Sequence, residues 1–282
     1  MFEPMPVPAP PELLRRERGP KDQIYWFGPA GFIFTSRWVV TPESTRPAAV
    51  FLLSATRQPL TVTVGATQLV HDVIAVAPRV RRGLDARDAG LVSVHLFPPH
   101  PLYAHFAHMA KPGARTLPRT PVAHLDATLR AAYEGRLKLD QARVLFDELV
   151  SALGAQLLPT PVRHAGEDSL HARLLRDPDC SLAKLAQQLG LSYSGTSRYF
   201  SRTVGLSFRS YGLWLKYYRA SDHSLRGANW TEAASAAGFA DSSHLAHVWQ
   251  SSFGMTPSHT NDPQRVRAHY KAAHSAAGQG LS

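Results

Sequence analysis

Residues 181–208, SLAKLAQQLGLSYSGTSRYFSRTVGLSF, and residues 229–257, NWTEAASAAGFADSSHLAHVWQSSFGMTP, carry the same local pattern twice. In the first stretch Leu182, Leu185, Ala186 and Leu189 recur at helical spacing and form one apolar face. Ala186 is small enough to let a second helix cross closely. Gly190 supplies a left-handed turn residue, and Ser192 is a good N-cap for the helix that follows. In that helix Thr196, Tyr199 and Phe200 face inward, while Ser194, Ser197, Arg198 and Ser201 point out. This is helix-turn-helix grammar. In the second stretch Ala234 stands for Ala186 and Gly238 for Gly190, and Leu245, Val248 and Trp249 form the inward face. Residues 208–225, FRSYGLWLKYYRASDHSL, are long enough for a helix joining the two units. Two reading helices held that way reach successive major grooves, about 34–36 Å apart along one face of a duplex.

Upstream, the character changes twice. From Ile24 to about His105 short β-rich runs alternate with Pro, Gly, Asp and Arg breaks: YWFGPAGFIFTSRWVV, AAVFLLSA, LTVTV, LVHDVIAVA and GLVSVHLF. Many short strands with turn signals predict a β-sandwich or barrel. From Pro121 to Leu158 leucines and valines recur at helical intervals, with Gly135 and Arg136 marking a break between two helices. Pro159, Pro161 and Gly166 form a linker. Residues 1–20 are proline-rich and then charged, an extended arm. Past Pro263, QRVRAHYKAAHSAAGQGLS reads as a tail that holds at most one further helix.

The balance of charge fits a polyanionic partner. Lys and Arg number 31 against 21 Asp and Glu, a formal charge of +10 over 282 residues. Between Asp179 and Asp222 stand Lys184, Arg198, Arg202, Arg209, Lys216 and Arg219 with no acidic residue, whereas residues 223–258 offer only Arg226 against Glu232 and Asp241. The phosphate-binding footprint is therefore expected on the first unit and the linking helix. A single cysteine, Cys180, excludes a disulfide framework or a cysteine metal cage within one chain and suits a reducing cytoplasm. The N-terminus lacks the apolar stretch of a secretory signal, and no apolar run is long enough to span a bilayer.

Taken together, LAKLAQQLGLS, TSRYF, VGLSF, YGLWLKYYRA and WTEAASAAGFADSSHLAHVWQSSFGMTPS resemble the DNA-binding domain of the AraC family of bacterial regulators over about residues 170–260. The resemblance implies an α+β two-domain chain. A cupin-like effector and dimerisation domain with a helical end would occupy residues 21–160, an all-α domain with two helix-turn-helix units residues 168–262, and a tail residues 263–282. It implies double-stranded promoter DNA as partner, a homodimer, a small-molecule effector and contact with RNA polymerase, with no cofactor and no catalysed reaction. By position, base contacts fall to Ser194, Ser197 and Arg198 in the first unit and to Ser242, Ser243, Ala246 and His247 in the second. Ser201, Arg202 and Gln250 complete the expected DNA-binding set. Ala246 cannot hydrogen-bond a base, and His247 stands where relatives often have arginine, so readout by the second unit is expected to be weaker.

Other features have plainer readings. Tyr199, Phe200, Trp249 and Phe253 are expected in the core rather than as stacking platforms. His95, His100, His105 and His108 cluster in sequence, but they lack the HxH and downstream glutamate of metal-dependent cupins, so no metal site is expected. Arg79, Arg81 and Arg82 form either a solvated loop or a site for an anionic effector. Cys180 sits at a helix start. The competing functions are a regulator controlled by a protein partner and, less well supported, an enzyme built on the β-domain; neither a nucleophile–base pair nor paired carboxylates supports the latter.

Overall fold

The computed structural model describes residues 20–103, 106, 109–157, 166–253, 256–260 and 262–271. The β-rich runs form ten strands: β1 (Asp22–Trp26), β2 (Gly31–Ser36), β3 (Val40–Thr45), β4 (Ala49–Ser54), β5 (Leu60–Val64), β6 (Thr67–His71), β7 (Val73–Val76), β8 (Arg81–Asp85), β9 (Leu91–Leu96) and β10 (Ala114–Thr116). An eleventh, β11 (Val266–His269), comes from the other end of the chain. They build a seven-stranded sheet in the order β10-β7-β4-β9-β2-β1-β11 and a four-stranded sheet in the order β3-β8-β5-β6. The two sheets face each other as an open sandwich rather than a closed barrel. Strands β4 (AVFLLS) and β9 (LVSVHL) are buried at every position, as central strands covered on both faces must be. On β8 the alternation is strict enough that Arg82 and Leu84 turn inward while Arg81 turns out.

One outer face of the large sheet is covered by two helices, α1 (Asp126–Tyr133) and α2 (Leu139–Gly154), separated at Gly135, whose φ is 72°. On α2 Ala142, Leu145, Phe146, Leu149, Val150 and Leu153 lie on one stripe and pack over β1 and β2. Burial of each large side chain there is worth about 1.5–3 kcal/mol. The arm falls outside the described residues except for Pro20, and the linker except for Gly166. The helical region then runs α3 (Glu167–Arg176), α4 (Leu182–Leu189), α5 (Tyr193–Val204), α6 (Phe208–Leu225), α7 (Trp230–Ala236), α8 (Ser242–Phe253) and α9 (Pro257–Thr260).

The start of the tail differs from the expectation of a further helix. Residues 266–269, VRAH, add to the edge of the large sheet in parallel with β1, from Asp22 opposite Val266 to Tyr25 opposite His269. Strand β1 would otherwise present unpaired backbone at that edge, and a β-branched residue after Pro263 suits an extended chain better than a helix start. His269 stacks on Tyr25 at 4.4 Å, and Lys21 Nζ donates to the Pro263 carbonyl at 2.7 Å. A second seam forms where α6 meets the sandwich: Trp26 stacks on Tyr218 at 5.8 Å, and Phe97 lies 5.6 Å from the fully buried Trp214. The helical region is thus joined to the β-region by both aromatic packing and backbone pairing.

Candidate nucleic-acid interface

The first helix-turn-helix is assembled by caps. Ser181 Oγ accepts from the Lys184 amide at 3.1 Å and starts α4; Ser192 Oγ accepts from the Gly195 amide at 3.1 Å and starts α5. Between them Gly190 closes α4 with φ 65°, a conformation that side-chain-bearing residues adopt at a cost. Leu185, Thr196 and Phe200 are fully buried and Ala186 nearly so, while Tyr199 is half-buried against the same core. The outward set divides by exposure: Ser194, Arg198 and Arg202 are exposed, Ser197 and Ser201 half-buried.

The second unit repeats the device with different capping residues. Asn229 Oδ1 accepts from the Thr231 and Glu232 amides, both at 3.0 Å, and Glu232 Oε2 accepts in return from the Asn229 amide at 3.0 Å. Gly238, φ 79°, makes the turn, and Asp241 Oδ1 accepts from the His244 amide at 2.7 Å at the start of α8. Both acids of this unit therefore serve as caps. Leu245 and Trp249 are buried and Val248 half-buried. Ser243, His247 and Gln250 are exposed, and Ser242 and Ala246 are half-buried. Helix α8 also lies against β3, so the second reading helix leans on the sandwich.

The basic stretch resolves into two groups. Lys184 is paired with Asp177 at 2.7 Å, and Arg219 with Asp179 at 3.6 Å. Lys216 donates to the Gly238 carbonyl and lies 5.7 Å from the Phe239 ring centre, which makes it a strut between the units rather than a free charge. Arg198, Arg202 and Arg209 are exposed and form no ion pair among the described residues. The free positive charge is thus concentrated on α5 and on the first turn of α6. Tyr193, 63% exposed at the start of α5, was not singled out by sequence reasoning; a large aromatic in the first turn of a reading helix, beside polar neighbours, is the signal that would have found it.

Residues 185–262 match the family model of a helix-turn-helix domain. The C-terminal region is an AraC-type helix-turn-helix domain. No curated protein sequence matches the chain. Among solved structures, ToxT from Vibrio cholerae strain SCE256 with an unsaturated fatty acid bound is similar at 12% identity and a TM-score of 0.50, covering 86% of this chain and 95% of that one. An apo lysine-to-alanine variant of ToxT from the same strain is similar at 10% identity and a TM-score of 0.50, covering 80% and 94%. The AraC-type domain thus stands in a two-region fold shared with ToxT, a β-rich half followed by a helical half.

The remaining sequence candidates separate. His95 is fully buried, 4.2 Å from the Phe32 ring and 2.7 Å from Ser93 Oγ; His100 Nδ1 accepts from the Leu102 amide; His105 and His108 fall outside the described residues. No group of three metal-ligating side chains occurs among the described residues. Cys180 is buried just before α4, and burial pushes its thiol upward. The reading of Arg79, Arg81 and Arg82 as one solvated loop is corrected. Arg81 is exposed and paired with Glu43, Arg79 reaches Ser210 on α6 at 2.6 Å, and Arg82 is 2% exposed between the sheets, because the alternation of β8 turns it inward. The side chain of Phe253 falls outside the described residues. No helix among the described residues is long and apolar enough to cross a membrane.

Proposed function

We propose that the chain is a sequence-specific DNA-binding transcription regulator that reads promoter DNA through Ser194, Ser197, Arg198, Ser201 and Arg202 of the first unit and Ser242, Ser243, His247 and Gln250 of the second. The observation that carries this reading is the first reading helix: capped, packed on a buried face and presenting on the exposed one two arginines that form no ion pair among the described residues. Phosphate contacts by exposed arginines position the protein, and base-edge contacts from the same helix specify the site. The β-region serves as the effector-binding half, a role supported by its likeness in fold to ToxT, which is known with an unsaturated fatty acid bound. Pairing of two chains belongs to the same reading, with α1 and α2 as the contact surface; Val144 on α2 is 57% exposed.

The test is selection of the full chain on random duplexes, followed by footprinting of the enriched sequence. The expected product is a site with two contacted segments about one helical turn apart on one face of the duplex. Retention of all sequences alike, with affinity set by salt alone, would sink the proposal.

A further inference from the structure

The turn between β7 and β8 and the segment before β10 meet the first helix-turn-helix across an open cleft of about 740 Å³. Arg79, Val80 and Lys111 line it from the β-region. Gly205, Leu206 and Ser207, the turn that leads from α5 into α6, line it from the other side. Two basic side chains of the sandwich thus stand beside the end of the first reading helix, a placement that only the fold supplies.

Arg79 is placed by its backbone. It adopts a left-handed conformation, φ 63°, and its amide donates to the Arg46 carbonyl at 2.7 Å. The turn carries the guanidinium across the cleft, where Nη1 donates to Ser210 Oγ at 2.6 Å, 131 positions away in sequence and next to Arg209. A neutral hydroxyl takes one N–H without cancelling the charge, and the guanidinium has donors to spare. Arg79 and Lys111 are both exposed, and neither forms an ion pair among the described residues. Arg81, exposed on β8, is by contrast paired with Glu43. Arg198 and Arg202 on α5 and Arg209 on α6 share the condition of Arg79 and Lys111, so uncompensated cations follow one another from the reading helix across the cleft onto the sandwich. No acidic residue lines the cleft among the described residues. Like charges gathered on one exposed band repel one another, and a polyanion laid along the band removes that repulsion.

We infer that the β-region itself holds DNA: Arg79 and Lys111 bind backbone phosphates of the duplex whose major groove α5 enters, beside the segment contacted by the first unit. The inference rests on the DNA-reading role proposed for α5 and extends the interface from the helical half onto the sandwich. Continuity selects the occupant. A duplex gripped by Arg198 and Arg202 carries about one negative charge per 1.7 Å of its axis, so the phosphates flanking the contacted groove pass the cations that stand next on the same band. A small free anion would call for an enclosed site with convergent donors, and this cleft is open on one side. Contacts to phosphate add affinity and fix orientation without reading sequence. Because both cations belong to the β-region, a shift at its seam with the helices changes the grip on DNA without either reading helix moving.

The test is the salt dependence of binding by the full-length chain, measured on its selected duplex and on a random one from about 50 to 200 mM salt. Each lost phosphate contact lowers the slope of log K against log salt by about 0.9. Lys111→Gln is therefore expected to lower it by about one unit and the double change Arg79→Gln, Lys111→Gln by about two, with equal losses on both duplexes and base preferences intact. Arg130→Gln controls for net charge. Arg130 is exposed on α1, whose Asp126 pairs with Arg57 beyond the end of β4 that lies away from Arg79, and its loss should leave the slope level. An unchanged slope in the double variant, or an equal drop with Arg130→Gln, would overturn the inference. So would a loss confined to the selected sequence, which would make these residues readers of bases. The Lys111 side chain has no hydrogen bond or ion pair to lose among the described residues, so its single variant decides the matter even if Arg79→Gln loosens the seam. Phosphate contacts are blind to sequence, so the random duplex tests this surface even where the chain selects no site, and failure of the regulator reading is told from failure of this one. A chain that binds neither duplex overturns both.

Discussion

The two helix-turn-helix units share a pattern but differ in what they are attached to. The core of the first, through Leu185, Phe200, Val204 and Trp214, is continuous with the core of the sandwich, whereas Tyr217, Ala220, Ala234, Phe239, Leu245 and Trp249 form a separate cluster under the second. Free arginine charge lies on the first; the second spends its acids on caps and ties Lys216 to its turn. Yet it is the second reading helix that rests against β3. Grip on DNA and responsiveness to the β-region therefore fall to different units: the first is built into a large cooperative core and carries the charge, and the second has a small core of its own and touches the part of the molecule that would change on ligand binding.

The largest expected effect tests that division of cores. Trp214→Ala should cost about 3–5 kcal/mol and lower the urea midpoint of the whole chain, since it opens a cavity where both regions meet. Trp249→Ala removes a side chain of equal size from the small cluster, and should instead abolish amide protection in residues 230–253 while leaving β4 and β9 protected in hydrogen exchange. If Trp249→Ala lowers the global transition as far as Trp214→Ala does, the two units form one cooperative block and the contrast between them is lost.

Next in size is the difference in charge. Arg198→Ala is expected to weaken the specific complex by about 1–3 kcal/mol and relax preference at one base pair, while Arg202→Ala weakens all sequences alike and reduces the salt slope by about one unit. Competition binding against single-base variants at several salt concentrations separates the two phenotypes. If they are exchanged, α5 is rotated about its axis from the assignment given above.

What the sequence made legible, and what it did not, follows the range of the interactions involved. The capped turns at Gly190 and Gly238 are local events, governed by backbone freedom and side-chain oxygens within three residues, so the sequence alone placed them. The strand runs were legible for the same reason. The role of Arg82 was not: in APRVRRGLDARD a basic run reads as solvent-facing, and only the pairing of β8 with β3 and β5 decides which of its alternating positions turns in. Residues 266–269 were not legible either, because VRAH becomes a strand through an edge supplied by residues 22–25, over two hundred positions earlier. The linking helix α6 was anticipated as a spacer, but its apolar face proved to be the seam with the sandwich, a contact between residues such as Trp214 and Phe97 that no local pattern announces.

A smaller effect concerns the strand that closes the large sheet just after the second unit. Stacking of His269 on Tyr25 is worth about 0.5–1.5 kcal/mol, which His269→Ala should remove from the docking of β11. Burial, and then the charge of Arg267, lowers the pKa of His269 in the docked state. The undocked chain therefore binds a proton at a higher pH than the docked one, and docking weakens as pH falls below about 6.5. His259 faces Asp22 nearby and Gln23 meets the His269 ring, so parent and His269→Gln must be compared at each pH. Amide protection of residues 266–269 that falls on acidification in the parent and stays level in the variant is the expected result; identical profiles would remove His269 from the control of this strand.

The smallest expected effect is at His247. Its side chain is exposed on α8 in the position that corresponds to a base contact, beside a half-buried Ala246 that offers no hydrogen bond, and the second unit holds no free arginine like those of α5. If the second unit contributes shape and placement rather than charge, His247→Ala should cost less than about 0.5 kcal/mol of affinity at neutral pH, against 1–3 for Arg198→Ala. The reverse change is the sharper probe. His247→Arg supplies a permanent charge and a planar fork of donors where the parent has an imidazole, and should tighten the complex by about 1 kcal/mol while steepening the salt slope by about one unit. Since α8 packs on β3 by another face, neither substitution should move the urea midpoint by more than about 0.5 kcal/mol, so a change in affinity can be assigned to DNA contact. Two outcomes would break the comparison between the units. A loss on His247→Ala equal to that on Arg198→Ala would make both units readers, and no gain on His247→Arg would mean that α8 does not enter the groove in the complex.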